Sequence, residues 1–339
     1  MFGKLMNNYY YGKSGKGDFR KEDMPETRWQ LFWDTLRTRL SGLCRLNLIY
    51  MLIWLPTIIV LGMTLLNGYQ NLSMIQAAQE GRLSEYVEAV SQGENTVTVT
   101  EEQQQQLAQI NVLELVDSRL FTMLLILIPC IAVTGPFTAG ISYVTRNWAR
   151  DEHAFMWSDF KDAVKKNWKQ GLAVSSITSV LPAIVYMCWR FYGNLAAKQV
   201  IMIVPQALVV IIAILWSISV TYMHPMEVTY DLKLSGLLRN GFLLGIARLP
   251  MSVGIRLLHC VPCIIGLILC FFWNPFFGVL ILGAYYVLIG FGLSRFITAS
   301  YTNAVFDKYI NSRIEGATVN KGLKEKEDDD AEDDEDTVE

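Results

Sequence analysis

The chain has 339 residues, 52% hydrophobic and 18% charged, against roughly 25% charged in soluble domains. Long stretches carry no charge, and the net charge of −3 conceals an acidic run over 325–339 in an otherwise basic protein. The basic residues form no single patch of the kind that binds nucleic acid, and the six cysteines lie in apolar segments without the paired spacing of a disulfide scaffold.

Residues 1–45 are polar and basic, unlike a cleaved signal peptide. Within them, 25–43 carries Trp29, Phe32, Trp33, Leu36, Leu40 and Leu43 at helical spacing, with Pro25 near the start. This predicts an N-terminal interfacial helix on the inner leaflet that turns into the first span. A helix packed against the protein satisfies the same spacing.

A hydrocarbon core about 30 Å thick needs about 20 helical residues to cross it. Six segments qualify, near 46–66, 120–144, 171–191, 200–222, 250–272 and 276–298. The second, fourth and sixth run for twenty or more residues without charge, whereas the fifth carries Arg256 and His259 in its first turns. No acidic residue falls within these six segments, which argues against a proton-coupled carrier.

The first connector, 67–119, is acidic and Gln-rich. It predicts a helical external insertion: amphipathic helices over about 72–91 and 101–118, around a short TVTV strand or turn. Thr100 with Gln103 fits a capping box, and Asn71-Leu72-Ser73 matches a glycosylation sequon.

Lys and Arg set the orientation. The first 45 residues hold nine, 145–170 six, 223–256 four and the stretch from Arg295 six. The alternate segments 67–119 and 190–199 hold two each, and 273–275 none. The expectation is therefore an all-α membrane bundle of six transmembrane helices over 46–299 with both termini cytoplasmic. The tail 300–339 follows, too acidic from about 324 to fold alone.

NLIYMLIWLPTIIVLG (47–62) and TGPFTAGISYVTRNWARDEHAFMWSDFKDAVKKNWKQG (134–171) resemble blocks of the YesL-like proteins, a bacterial membrane family described as a domain of unknown function. The resemblance implies a multi-pass protein of the bacterial plasma membrane associated with carbohydrate uptake, with components of a sugar ABC transporter as partners besides the lipid bilayer. It brings no catalytic residue. The insertion 67–119 departs from the compact members of that family.

Three places can carry function. Ser158 is placed to cap a helix starting at Asp159, with Phe160, Val164 and Trp168 on one face and Lys165 toward the C-terminal end. That helix is either a docking element for a soluble partner or an interfacial anchor. A shorter echo returns near 232–245, where LRNGFLLG follows the pattern of KKNWKQG at 165–171. Thr134-Gly135-Pro136 marks either a helix break beside a substrate path or a packing kink. Arg256 is placed to reach lipid phosphate. Cys260 and Cys263 flank a Val-Pro pair beside His259, a spacing as compatible with small apolar residues as with redox or metal chemistry. His153 is expected in solvent and His224 at the interface.

No phosphate loop, nucleophile elbow or paired-carboxylate constellation appears, so no enzyme, cofactor or metal is expected. The leading expectation is a non-enzymatic accessory or scaffold component; a small independent transporter or channel is the alternative.

Overall fold

The computed structural model describes residues 24–91 and 99–324. Among them the protein is all-helical, with six helices long and apolar enough to cross a membrane. The TVTV segment, apart from Val99, and the acidic tail from 325 lie outside the described residues.

Helix α1 (Arg28–Gln79) is continuous over 52 residues, or about 78 Å at 1.5 Å per residue. Thr27 and Gln30 close a capping box at its start. The predicted turn between an interfacial helix and the first span is absent. Nothing between 25 and 50 breaks the helix, and Leu31, Leu43, Leu46 and Tyr50 are all buried along its length. The ring of Phe32 stacks on Phe296 at 5.2 Å, so this segment is packed against the bundle. At its far end, Gly81 takes φ +75°, Gly81 N–H donates to Ala78 O and Arg82 N–H to Ala77 O. This left-handed glycine cap stops the helix.

Two short helices follow, α2 (Leu83–Val90) and α3 (Glu101–Ala108), the latter opened by the expected Thr100–Gln103 capping box. They are shorter than the sequence suggests because α1 extends to Gln79 and the next span starts at Val112. The second span is divided into α4 (Val112–Ala132) and α5 (Thr134–Trp148) at Val133. Helix α6 (Met156–Ala196) runs unbroken from the polar connector into the third span. It crosses α5 where a Cβ on Gly135 would lie 2.1 Å from the Gly171 carbonyl oxygen, and only glycine permits that approach.

The fourth span, α7 (Ile203–Glu227), extends five residues beyond the predicted end. It packs on α8 (Leu234–Ala247) through Gly241 and Gly245, as α5 packs on α6 through the Gly135–Gly171 contact. Helix α9 (Leu249–Phe272) is followed by α10 (Pro275–Tyr285), a π-helical turn over Tyr286–Gly290, and α11 (Phe291–Tyr309). Asn47 of α1 explains that turn. Its Nδ2 donates to the carbonyls of Tyr286 (2.9 Å) and Val287 (2.7 Å), and its Oδ1 accepts from Gly292 N–H (2.9 Å). A wide turn that frees backbone groups inside a helix is stable when a side chain satisfies them.

The core has two parts. Leu43, Leu46, Tyr50, Ile141, Trp148 and Phe296 centre one, and Tyr222, Met223, Met226, Leu237 and Phe306 centre the other. Helices α9 and α10 bury very little within the bundle, as expected of surfaces that face lipid.

Candidate functional site

The segments assigned by charge to one side meet at one end of the bundle. Arg28 donates to Asp307 (2.5 Å) and to Asn320 (2.7 Å). Asp307 also accepts from Asn311 (2.6 Å) and from Asn320 N–H (3.1 Å). Arg150 faces Asp307 at 3.8 Å and Glu152 at 3.3 Å, and Lys321 reaches Glu152 at 2.9 Å. Burial pushes the Glu152 carboxyl up, but Lys321, Arg146 and Arg150 outweigh it and hold the group below its ordinary range. Tyr230, which donates to Asn311 at 2.7 Å, is pushed up to about 12, chiefly by burial and then by Asp307. This network ties the start of α1, the α5–α6 connector, the end of α11 and the segment after it into one polar plate.

Beyond the plate, among the spanning helices, lies a cavity of about 450 Å³. Trp54 of α1, Thr134 and Thr138 of α5, and Thr178 of α6 line it, facing His224 of α7, Arg256 of α9 and Arg295 of α11. Arg256 lies seven residues into α9, about 10 Å along its axis. It donates to the Ser217 carbonyl, and its Nε is buried without a hydrogen-bond partner. Arg295 donates to the Tyr50 hydroxyl (3.4 Å) and lies over its ring. Tyr50 in turn donates to Thr138 Oγ1 (2.6 Å), because the Thr138 hydroxyl already donates to the Thr134 carbonyl (2.9 Å). His259 Nε2 donates to the Ser294 carbonyl at 3.1 Å, tying α9 to α11 beside both arginines.

A second hollow, a groove of about 850 Å³, opens at the same end as the plate between α6 and the turn after α7. Asp159, Lys166, Lys169 and Gln170 face Glu227 and Tyr230 across it. The two hollows share a wall. His224 Nδ1 and Glu227 Oε1 lie 2.8 Å apart, with His224 lining the cavity and Glu227 the groove. Both side chains are buried, and Glu227 Oε2 has no hydrogen-bond partner.

Several sequence expectations are corrected here. Ser158 does not cap α6, which begins at Met156; Asp159 instead reaches back to accept from Phe155 N–H at 2.9 Å. The proposed docking face is divided, because Phe160 is 3% exposed and Phe160 and Val164 both pack toward Gly140. Of that face Trp168 remains outside, with Trp157 one turn before Phe160. Arg256 turns inward to the Ser217 carbonyl and the cavity rather than outward. His224 is buried against Glu227, not placed at an interface, and the longer α7 brings an acidic residue into the fourth span. Thr134 opens α5 and lines the cavity, Gly135 forms the contact with α6, and Pro136 sits in the first turn of α5, which needs no N–H from it. Cys260 and Cys263 are exposed free thiols, with Cys263 Sγ 3.2 Å from the Tyr286 hydroxyl. His153 is exposed beside Phe155.

Sequence reasoning missed Trp54, Arg295 and the His224–Glu227 pair as site residues. Arg295 was legible as the cation closing a long uncharged run, and His224 with Glu227 as polar residues three apart on a helix.

A family model described as a protein of unknown function, DUF624, matches residues 108–189. That segment carries α4, α5 and most of α6, including the Gly135–Gly171 crossing and one wall of the cavity. No curated protein and no solved structure matches the chain. The class is thus a multi-pass, all-helical membrane-type protein similar over this segment to DUF624.

Proposed function

We propose that this chain is a YesL-like, non-enzymatic protein of the bacterial plasma membrane, with both termini in the cytoplasm, that takes a ligand into the cavity between its helices as a small transporter does. One observation carries the reading: a cavity with two arginines lies among spanning helices, where a charge at mid-helix costs about 2.5–3.5 kcal/mol on insertion scales and less toward the ends. Such residues in a spanning segment serve a pathway or a ligand far more often than they serve packing. The junction of α4 and α5 at Val133, the π-helical turn and the His224–Glu227 wall supply the change of helix and the partition that a binding pathway uses. The test is uptake of radiolabelled glucose, chloride and inorganic phosphate by proteoliposomes. The expected result is entry of at least one above protein-free vesicles, abolished by Thr178→Trp, which fills the cavity. Uptake of none, or uptake indifferent to the filled cavity, contradicts the reading.

A second reading rests on the groove end. Trp157 and Trp168 are 54% and 48% exposed on α6, and Trp168 lines the groove, which suits an accessory subunit docking components of a sugar ABC transporter. Its test is co-purification with those components in mild detergent, lost in Trp157→Ala/Trp168→Ala. Absence of the components from the wild-type eluate removes this reading.

A further inference from the structure

We propose that Arg256, Arg295 and the indole N–H of Trp54 form a phosphate-type oxyanion site inside the cavity; this rests on the reading that the cavity holds a ligand. Three observations converge.

The first is charge. Arg28, Arg146 and Arg150 at the polar plate each have a carboxylate partner. Among the described residues, Arg256 and Arg295 have none within ion-pair distance, although both line one cavity. Glu227, held by His224 in the shared wall, acts on Arg295 only from beyond ion-pair distance. Two like charges without an ion-paired carboxylate in a bundle interior are costly, and an anion between them offsets that cost.

The second is donor inventory. A guanidinium has five N–H donors. Among the described residues Arg256 uses one on the Ser217 carbonyl and Arg295 one on the Tyr50 hydroxyl. Arg256 Nε and Trp54 Nε1 are buried donors without an acceptor. Arg146, Trp148, Arg150 and Arg248 also carry a buried N–H without an acceptor, but those of Arg256 and Trp54 belong to side chains that line one cavity, where a ligand or water can complete them.

The third is what the cavity lacks. A neutral sugar needs donors and acceptors in similar number. The hydroxyls of Thr134, Thr138 and Thr178 already donate to the carbonyls of Ile131, Thr134 and Val174, and Thr178 also accepts from Trp216 Nε1. The threonine protons are therefore committed although their oxygens can still accept. Among these side chains of the cavity wall the free donors are those of the two guanidiniums and Trp54, and the guanidinium charge selects an anion. Arginine forks match phosphate oxygens in pairs. The phosphate group belongs either to a lipid headgroup or to a soluble phosphorylated solute.

The experiment uses the full chain in neutral detergent and measures thermal stabilisation by inorganic phosphate, phosphatidylglycerol, chloride and glucose. Stabilisation by phosphate alone identifies a soluble source, and by phosphatidylglycerol a lipid headgroup; either supports the site, provided chloride and glucose do not reproduce it. Arg256→Gln and Arg295→Gln should each weaken the apparent affinity at least tenfold, about 1.4 kcal/mol, while Arg37→Gln on the exposed face of α1 leaves it unchanged. Trp54→Phe keeps an aromatic side chain and removes the indole N–H, so it should weaken binding several-fold even where an arginine variant fails to fold. Unchanged affinity in Trp54→Phe and in every arginine variant that folds overturns the assignment, as does stabilisation by none of the four. Stabilisation by glucose without phosphate or phosphatidylglycerol overturns the oxyanion site but leaves the cavity as a ligand site.

Discussion

Asp307 holds more of the polar plate than any other single side chain. It is 2% exposed, and its two oxygens meet Arg28, Arg150, Asn311 and the Asn320 N–H. Asp307→Ala leaves buried cations and donors without their acceptor, and loss of one partner of a buried pair costs about 3–5 kcal/mol. Thermal unfolding in detergent should show that loss, and a change under 1 kcal/mol would place the plate's stability elsewhere. Glu152 gives a pH signature. Its carboxyl titrates lower in the folded protein than its ordinary 4.5, so its contribution is present above that pH and lost as pH falls through the folded value. The stability gap between wild type and Glu152→Gln should therefore be open at pH 7 and close on acidification below 4.5; a gap that persists there contradicts the assignment. The residue types of this plate are legible in the sequence, but not its pairings. Asp307 and Arg28 lie 279 positions apart, and periodicity carries no information about which spans become neighbours.

At the scale of helices, hydropathy locates every span because length and apolar content are local properties. Their ends are less legible, since tertiary contacts decide them. Helix α1 passes the predicted turn because Leu43 and Leu46 are buried on the same side as Tyr50, and α7 passes residue 222 with His224 and Glu227 buried against one another in its last turn. The π-helical turn is invisible from Tyr286–Gly290 alone, as its cause is Asn47 on another helix. Asn47→Ala should strand those carbonyls and the Gly292 N–H and cost about 1–3 kcal/mol, read as a lower unfolding midpoint. The α5–α6 crossing is more brittle. Gly135→Ala places a methyl 2.1 Å from the Gly171 oxygen, so the helices must separate, at a cost of about 1–3 kcal/mol or more. An alanine variant with the wild-type midpoint would show that the two backbones do not meet there.

For the whole molecule, the basic segments chosen by counting Lys and Arg are the ones that come together at one end. There they form the plate and border the groove. Asp117 pairs with Arg190 at 2.9 Å and accepts from Tyr186 at the opposite end. The cavity was less legible: its polar residues come from six helices, and each alone reads as a tolerable exception in an apolar span. The claim that this cavity is a watery binding space rather than a dry packing defect is tested most directly by chemistry at Thr178. With the six native cysteines replaced, Thr178→Cys should react with a charged, membrane-impermeant thiol reagent, and residue 95 carrying a cysteine should do so only in right-side-out vesicles. Modification of position 178 by lipid-soluble reagents alone would contradict the account.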